Sequence, residues 1–147
     1  MNIQIKNFEQ LSTQELYVII RLRNEIFVVE QNCLYQDADN KDLAAYHVMI
    51  KSDDALLAYA RVLPPGISYP EVSIGRVACD KSARGKGLGQ KIMEQSLSFI
   101  KSEFGSCTIR IGAQTYLNDF YKSLGFENEG RPYLEDGIEH IEMLKRV

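Results

Sequence analysis

One segment restricts the fold of this chain more than any other: Arg84-Gly85-Lys86-Gly87-Leu88-Gly89, set between an apolar, strand-like run from Val72 to Cys79 and a helix-like run from Leu88 to Lys101. A glycine-rich turn that feeds a helix N-terminus is an anion site. The first backbone N–H groups of the helix have no partner within it, and the helix dipole places about half a positive charge there. Without Cβ atoms the backbone can approach a phosphate closely. Glycines spaced this way cost helix or strand stability at about 1 kcal/mol each, so a turn without a ligand would carry an uncompensated cost. The segment therefore asks for a strand–turn–helix unit and a phosphorylated ligand.

Three phosphate loops compete for it. The nucleotide P-loop needs GxxxxGK[ST], and no Lys-Ser or Lys-Thr follows these glycines. The dinucleotide fingerprint needs GxGxxG, and position 90 is Gln. The third pattern, [Q/R]xxGx[G/A], grips the pyrophosphate of coenzyme A, and Arg84, Gly87 and Gly89 match its fixed positions.

A length of 147 residues suits one domain, residues 1–147, with one sizeable core. A net charge of −3 argues against a general nucleic-acid binder, which needs a basic face. No apolar run approaches the ~18–20 residues of a membrane span, and the first ten residues lack a signal-peptide pattern. Cys33, Cys79 and Cys107 form no CxxC pair and accompany two histidines. The expectation is reduced thiols in a cytoplasmic protein, without a metal site. Cys79 and Cys107 sit in apolar runs and read as core.

Along the chain, residues 2–7 alternate as a short strand. Ser12-Thr13-Gln14-Glu15 resembles a capping box opening a helix that runs to about Val29. Residues 30–42 are polar and irregular, a length typical of functional loops. Strands are expected at 45–52, 56–63 and 71–80, then the glycine loop and a helix at 87–101. A strand at 107–113, a short helix at 116–124 ended by Gly125, and strands at 126–129 and 140–145 complete the order. This is an α/β chain with a mixed, mostly antiparallel sheet of about 6–7 strands flanked by about four helices. Phe27, Phe99, Phe120 and Phe126 read as core.

This order resembles the GNAT superfamily of N-acetyltransferases over essentially the whole chain. Two motifs carry the resemblance: residues 84–89, and Asn118-Asp119-Phe120-Tyr121-Lys122-Ser123-Leu124-Gly125-Phe126. Arg23-Asn24-Glu25-Ile26-Phe27-Val28-Val29-Glu30-Gln31 and Asp136-Gly137-Ile138-Glu139-His140 are similar to the ElaA-like branch. The resemblance implies an acetyl-CoA site and no metal. Backbone groups of Val77 and Cys79 would bond the pantetheine arm, the amides of Arg84, Gly85, Lys86, Gly87, Leu88 and Gly89 would hold the pyrophosphate, and Asn118 would bond the pantetheine. Tyr121 would sit at the thioester sulfur as general acid. The implied reaction is direct acetyl transfer to the primary amine of a small molecule, with a homodimer compatible with the family. A non-catalytic acyl-CoA-binding module and a protein N-terminal or lysine acetyltransferase are the competing readings.

The chemistry sets a requirement. An alkyl ammonium with a pKa near 10.4 is neutral in roughly one molecule in ~2,500 at pH 7, a barrier of about 4.6 kcal/mol. A general base lowers it. Ser73 stands where many family members carry a glutamate on the fourth strand, so Glu71, two residues earlier, and Glu30, at the end of the first helix, are the candidate bases. His47 could also serve, and His140 is similarly placed. Arg61 and Arg76, on adjacent strands, suit a carboxylate or phosphate on the substrate, or equally an ion pair with nearby acids. With Glu30, His47, Ser73 and His140 they complete the candidate acceptor-binding set.

Overall fold

In the computed structural model, which describes all 147 residues, seven strands form one sheet. They are β1 (Asn2–Asn7), β2 (Tyr46–Ser52), β3 (Ala55–Leu63), β4 (Val72–Cys79), β5 (Thr108–Gln114), β6 (Glu127–Glu135) and β7 (Ile138–Arg146), in the order β1-β2-β3-β4-β5-β7-β6. Every neighbouring pair is antiparallel except β4 and β5, which run parallel. The α-helices are α1 (Thr13–Arg23), α2 (Leu88–Phe104) and α3 (Asn118–Ser123). None is long and apolar enough to cross a membrane.

Side-chain alternation divides the sheet between two layers. Val48 and Ile50 of β2, and Ala58, Ala60 and Val62 of β3, join Leu88, Ile92, Met93 and Ile100 of α2 in the larger core. The intervening Met49 and Tyr59 face the other way, against Ile19, Leu22 and Ile26. Each large aliphatic side chain of α2 buried in this way contributes about 1.5–3 kcal/mol.

β4 changes sides partway along. Val72 and Ile74 belong to the α2 layer, yet Ala78, an even number of residues later, belongs to the α1 layer. An unbroken strand would keep all three on one face. The register to β3 slips between Tyr59 and Arg61: Tyr59 pairs with Ala78, Arg61 with Gly75. The extra residue is a β-bulge. Arg76 within it has φ +52°, which costs an L-residue about 1–2 kcal/mol.

The Ser12 capping box is present: the hydroxyl accepts from Glu15 N–H at 3.0 Å and the Glu15 carboxylate accepts from Ser12 N–H at 2.9 Å. Such a cap contributes about 1 kcal/mol. The helix expected to reach Val29 is α-helical only to Arg23 and continues as π-helix over Asn24–Glu30. Cys33 N–H donating to Val28 carbonyl, five residues back, keeps the same wide spacing. The strand expected at 126–129 runs on to Glu135. It includes Gly130 and Pro132; β6 is an edge strand, where a missing N–H and a register shift are tolerated.

Candidate functional site

β4 and β5 pair only at Val72 with Ile109 and Ser73 with Arg110. Beyond these residues the strands part, β4 continuing along β3 and β5 along β7. A cavity of about 590 Å³ opens there, lined by Ser73, Ile74, Gly75, Arg76 and Val77 of β4, Ile111, Gly112 and Gln114 of β5, and Tyr121 of α3. Two phenols crowd Gly112: a Cβ there would stand 2.7 Å from the Tyr133 hydroxyl and 3.0 Å from that of Tyr69, and would displace them.

The glycine loop follows β4. Gly87 is the N-cap of α2 with φ +73°, and no side chain caps the helix. The N–H groups of Gly85, Lys86 and Gly87 make no hydrogen bond. The sequence expected this pattern of free donors at a helix start, which suits an anion. The Arg84 guanidinium turns away to Glu30, donating through Nη1 at 3.0 Å. Gly89 sits beside Phe120 and the Cys79 thiol, so loop and α3 adjoin. Burial pushes the Cys79 thiol up, which keeps it protonated and a poor nucleophile.

The residues here fit a pantetheine-bearing ligand on one specific observation. Asn118 Oδ1, at the first residue of α3, is buried and has no hydrogen-bond partner. A buried acceptor left alone costs about 1–3 kcal/mol, and an amide N–H of a ligand would satisfy it. Three residues on, Tyr121 is 8% exposed, packed edge-on against Phe120 and Phe126. Burial pushes its phenol up to about 12. It therefore stays protonated at neutral pH as a hydrogen-bond donor.

On the other side lies the irregular loop before β2, which the structure shows fastened by three arginines. Buried Arg23 donates from Nε to Asp37 at 3.0 Å and from Nη1 to Asp42 at 2.6 Å. Arg61 forks onto both oxygens of Asp39 at 2.8 and 2.9 Å and reaches Asp42 at 3.0 Å. Arg76, on the bulge, donates to Asp37 at 2.9 Å and lies over the Tyr35 ring. The arginines hold Asp39 down at about 2 and Asp42 below the usual carboxylate range, both against desolvation, which acts the other way and is the largest single influence on each. Three cations meet three anions, so Arg61 and Arg76 line the cavity with their charges already matched by the protein's own carboxylates. The sequence left this pairing open against a substrate anion; of the buried arginine nitrogens, Arg61 Nε alone is without a partner.

The candidate bases are placed unequally. Glu71 does not line the cavity. Both its oxygens accept from Arg110, at 3.1 and 3.0 Å, and that ion pair lowers its pKa. Glu30 is likewise outside, held below the usual range first by its hydrogen bond to Arg84. His47 requires a correction as a substrate-binding residue. It faces the α1 layer with Met49, is fully enclosed, and uses both ring nitrogens, Nδ1 with the Tyr59 hydroxyl at 2.7 Å and Nε2 with the Asp42 carbonyl at 3.1 Å. Burial lowers its pKa. Ser73 and His140 do line the cavity.

Sequence reading missed Gln31, Gln36, Lys41, Tyr69, Glu135 and Ile138 of the lining. They come from the loop, the turn after β3 and the β6–β7 hairpin; Gln31 and Ile138 fall in the ElaA-like stretches, but nothing in the sequence marked either as a cavity residue. No group of three or more His, Cys, Asp or Glu is arranged to hold a metal ion.

The family described as acetyltransferase (GNAT) domain matches residues 9–147. The chain is 40% identical to protein ElaA of Escherichia coli over 140 residues, covering 94% of this chain and 92% of that one. It is 43% identical to a UPF0039 protein of Schizosaccharomyces pombe, with the same coverage of each chain. Among solved structures it is similar to an acyl-CoA N-acyltransferase from Pseudomonas aeruginosa, with a TM-score of 0.93, 38% identity and 99% of each chain covered. The crystal structure of E. coli ElaA gives a TM-score of 0.91, with 99% of each chain covered.

Proposed function

The chain belongs to the GNAT acetyltransferase family, and on that premise we propose that it moves the acetyl group of acetyl-CoA directly to the primary amine of a small molecule, within a ternary complex and as a single domain. The observation that carries this reading is the parting of β4 from β5 between the free N–H groups of residues 85–87 and the phenol of Tyr121. The loop amides hold the pyrophosphate, the free edges of β4 around Val77 and Cys79 bond the pantetheine amides, and Asn118 Oδ1 accepts one of their N–H groups. A β4 backbone N–H polarises the thioester carbonyl.

Tyr121 donates to the sulfur as the C–S bond breaks. A phenol near 12 is a weaker acid than a thiol near 8.5 by about 3.5 units, or ~5 kcal/mol. Its contribution is therefore a hydrogen bond to developing negative charge more than full proton transfer. The two cysteines nearest the cavity suit direct transfer. The Cys79 thiol is held protonated, and the Cys33 thiol is buried and donates to the Asp136 carbonyl at 3.3 Å. Three free cysteines fit the reducing cytoplasm.

The test is a thermal-shift titration with acetyl-CoA, CoA and ATP, followed by thiol release against polyamines and amino sugars. Ligand at 100 times its Kd adds about 2.7 kcal/mol, a shift of several degrees for a chain of this size. A shift with both CoA forms and amine-dependent thiol release are expected. A CoA shift without acyl transfer would favour the binding-module reading; no CoA shift would defeat the donor site.

A further inference from the structure

The structure puts a histidine where the family reading lacks a base. We propose that His140 Nε2 takes the proton from the acceptor ammonium, with the Glu135 carboxylate steadying the imidazolium that forms; this rests on the acetyltransferase reading above. His140 lies on β7, is 7% exposed and lines the cavity with Tyr121. Its Nδ1 is 2.7 Å from the Ile138 carbonyl oxygen. A carbonyl only accepts, so Nδ1 carries the hydrogen, and in the neutral ring Nε2 holds a free lone pair. That nitrogen is 3.5 Å from Glu135 Oε2. Tyr133 stacks on the ring, centroids 5.8 Å apart, and fixes its orientation. A nitrogen base with its tautomer set by one partner and its charged form supported by another has the parts that general-base catalysis needs.

The surroundings favour His140 over other groups. Glu71 and Glu30 lie outside the cavity in ion pairs. Around His140, β6 contributes Glu135 and Tyr133, and β5 contributes the neutral Gln114 opposite it in the ladder. The hairpin turn adds Asp136. Of the remaining charged lining groups, Asp39, Arg61 and Arg76 are paired among themselves and Lys41 donates to Ser68 at 2.8 Å. His140 is the one imidazole among the lining side chains.

The balance is complete without an added reagent. The ammonium loses one proton to Nε2, and the resulting amine lone pair forms the C–N bond. The C–S bond breaks, its electron pair leaving on sulfur. The second nitrogen proton reaches the thiolate through Tyr121 or water, and the imidazolium releases its proton to solvent. The products are the amide, CoA thiol and one proton.

The experiment compares wild type, His140→Gln and Glu135→Gln, with CoA thermal shift as the binding control. Turnover of acetyl-CoA is followed with spermidine, glucosamine and water as acceptors, from pH 5.5 to 9.5. His140→Gln should keep the CoA shift, lose about 100-fold in turnover near neutrality, and lose the acid limb that wild type shows. Long-range ¹⁵N–¹H spectra of ¹⁵N-histidine protein should show the Nδ1–H tautomer for His140. The titration midpoint of that ring should fall in Glu135→Gln, a change at a side chain 61% exposed. An Nε2–H tautomer, an unmoved midpoint, or wild-type turnover in His140→Gln with the CoA shift intact would overturn this proposal alone. No CoA shift in wild type would overturn the donor reading and this proposal with it.

Discussion

Around the glycine loop, backbone N–H groups stand free and two ion pairs, from Arg84 and Lys81 to Glu30, cross to another element. Along the loop before β2, Asp37, Asp39 and Asp42 are each held by two of the arginines Arg23, Arg61 and Arg76, which come from α1, β3 and β4. The first region is poised by what it leaves unmet, the second by what it satisfies internally. A site for a shared donor can be written in local backbone geometry. A wall that shapes an acceptor pocket must be assembled from distant parts, and here it is assembled from buried charge.

The sharpest way to break the comparison is to unbalance the network. Asp42→Ala leaves fully buried Arg23 and nearly buried Arg61 each short of a partner. Urea unfolding should show a loss of about 3 kcal/mol, while the remaining folded protein keeps its CoA shift. A stability change under ~1 kcal/mol would mean that the network fastens nothing.

The donor side should fail in the opposite way. Gly87→Glu forces a side chain onto φ +73° and adds an anion at the helix start. Acetyl-CoA binding by calorimetry should weaken by about 100-fold, or ~2.7 kcal/mol, while urea unfolding registers only the left-handed strain, about 1–2 kcal/mol. Equal damage to folding and binding would erase the distinction between the two regions.

Tyr121→Phe sharpens it further. Removing one hydrogen bond to the departing sulfur should lower kcat about tenfold, or ~1.4 kcal/mol, leaving the acetyl-CoA KM unchanged. A raised KM with unchanged kcat would place the phenol in binding alone.

The smallest effect concerns pH. Asp39 sits at about 2 in the folded chain, below its unfolded value near 3.9. A depressed carboxylate adds stability above its unfolded pKa and loses it as pH falls toward the folded one. Stability should therefore decline between about pH 4 and 2, and Asp39→Asn should flatten that decline in urea midpoints taken across the range. An identical slope in the variant would remove Asp39 from the account.

The legible parts of the fold were the locally encoded ones. The Ser12 cap, the strand–turn–helix at β4 and α2, and Gly125 with φ +95° after α3 each announce themselves within a few residues. Six sequence candidates, Arg61, Ser73, Arg76, Val77, Tyr121 and His140, line one cavity. The bulge at Arg76 carried no signal because an arginine is not the residue that a left-handed position selects. The facing of His47 depended on β2 register and the layer against it. Glu71 attracted attention as a carboxylate at the start of the fourth strand and Glu30 as one at the end of the first helix, but their partners, Arg110 and Arg84, are distant in sequence and decide where they point. The π-helical continuation of α1 was hidden because Ile26, Phe27 and Val28 satisfy ordinary helical spacing well enough.

The short parallel ladder between β4 and β5 has one more consequence. Past Ser73 and Arg110, two strands of one sheet run without each other's hydrogen bonds. An extended amide-bearing chain laid between them would act as an eighth strand of foreign origin, completing the sheet. Stability of the isolated protein and stability in a cell supplied with such a chain would then be different quantities. The amide hydrogens of residues 74–79 that point away from β3 would record the difference, exchanging with solvent in the free protein and slowing when the rung is filled.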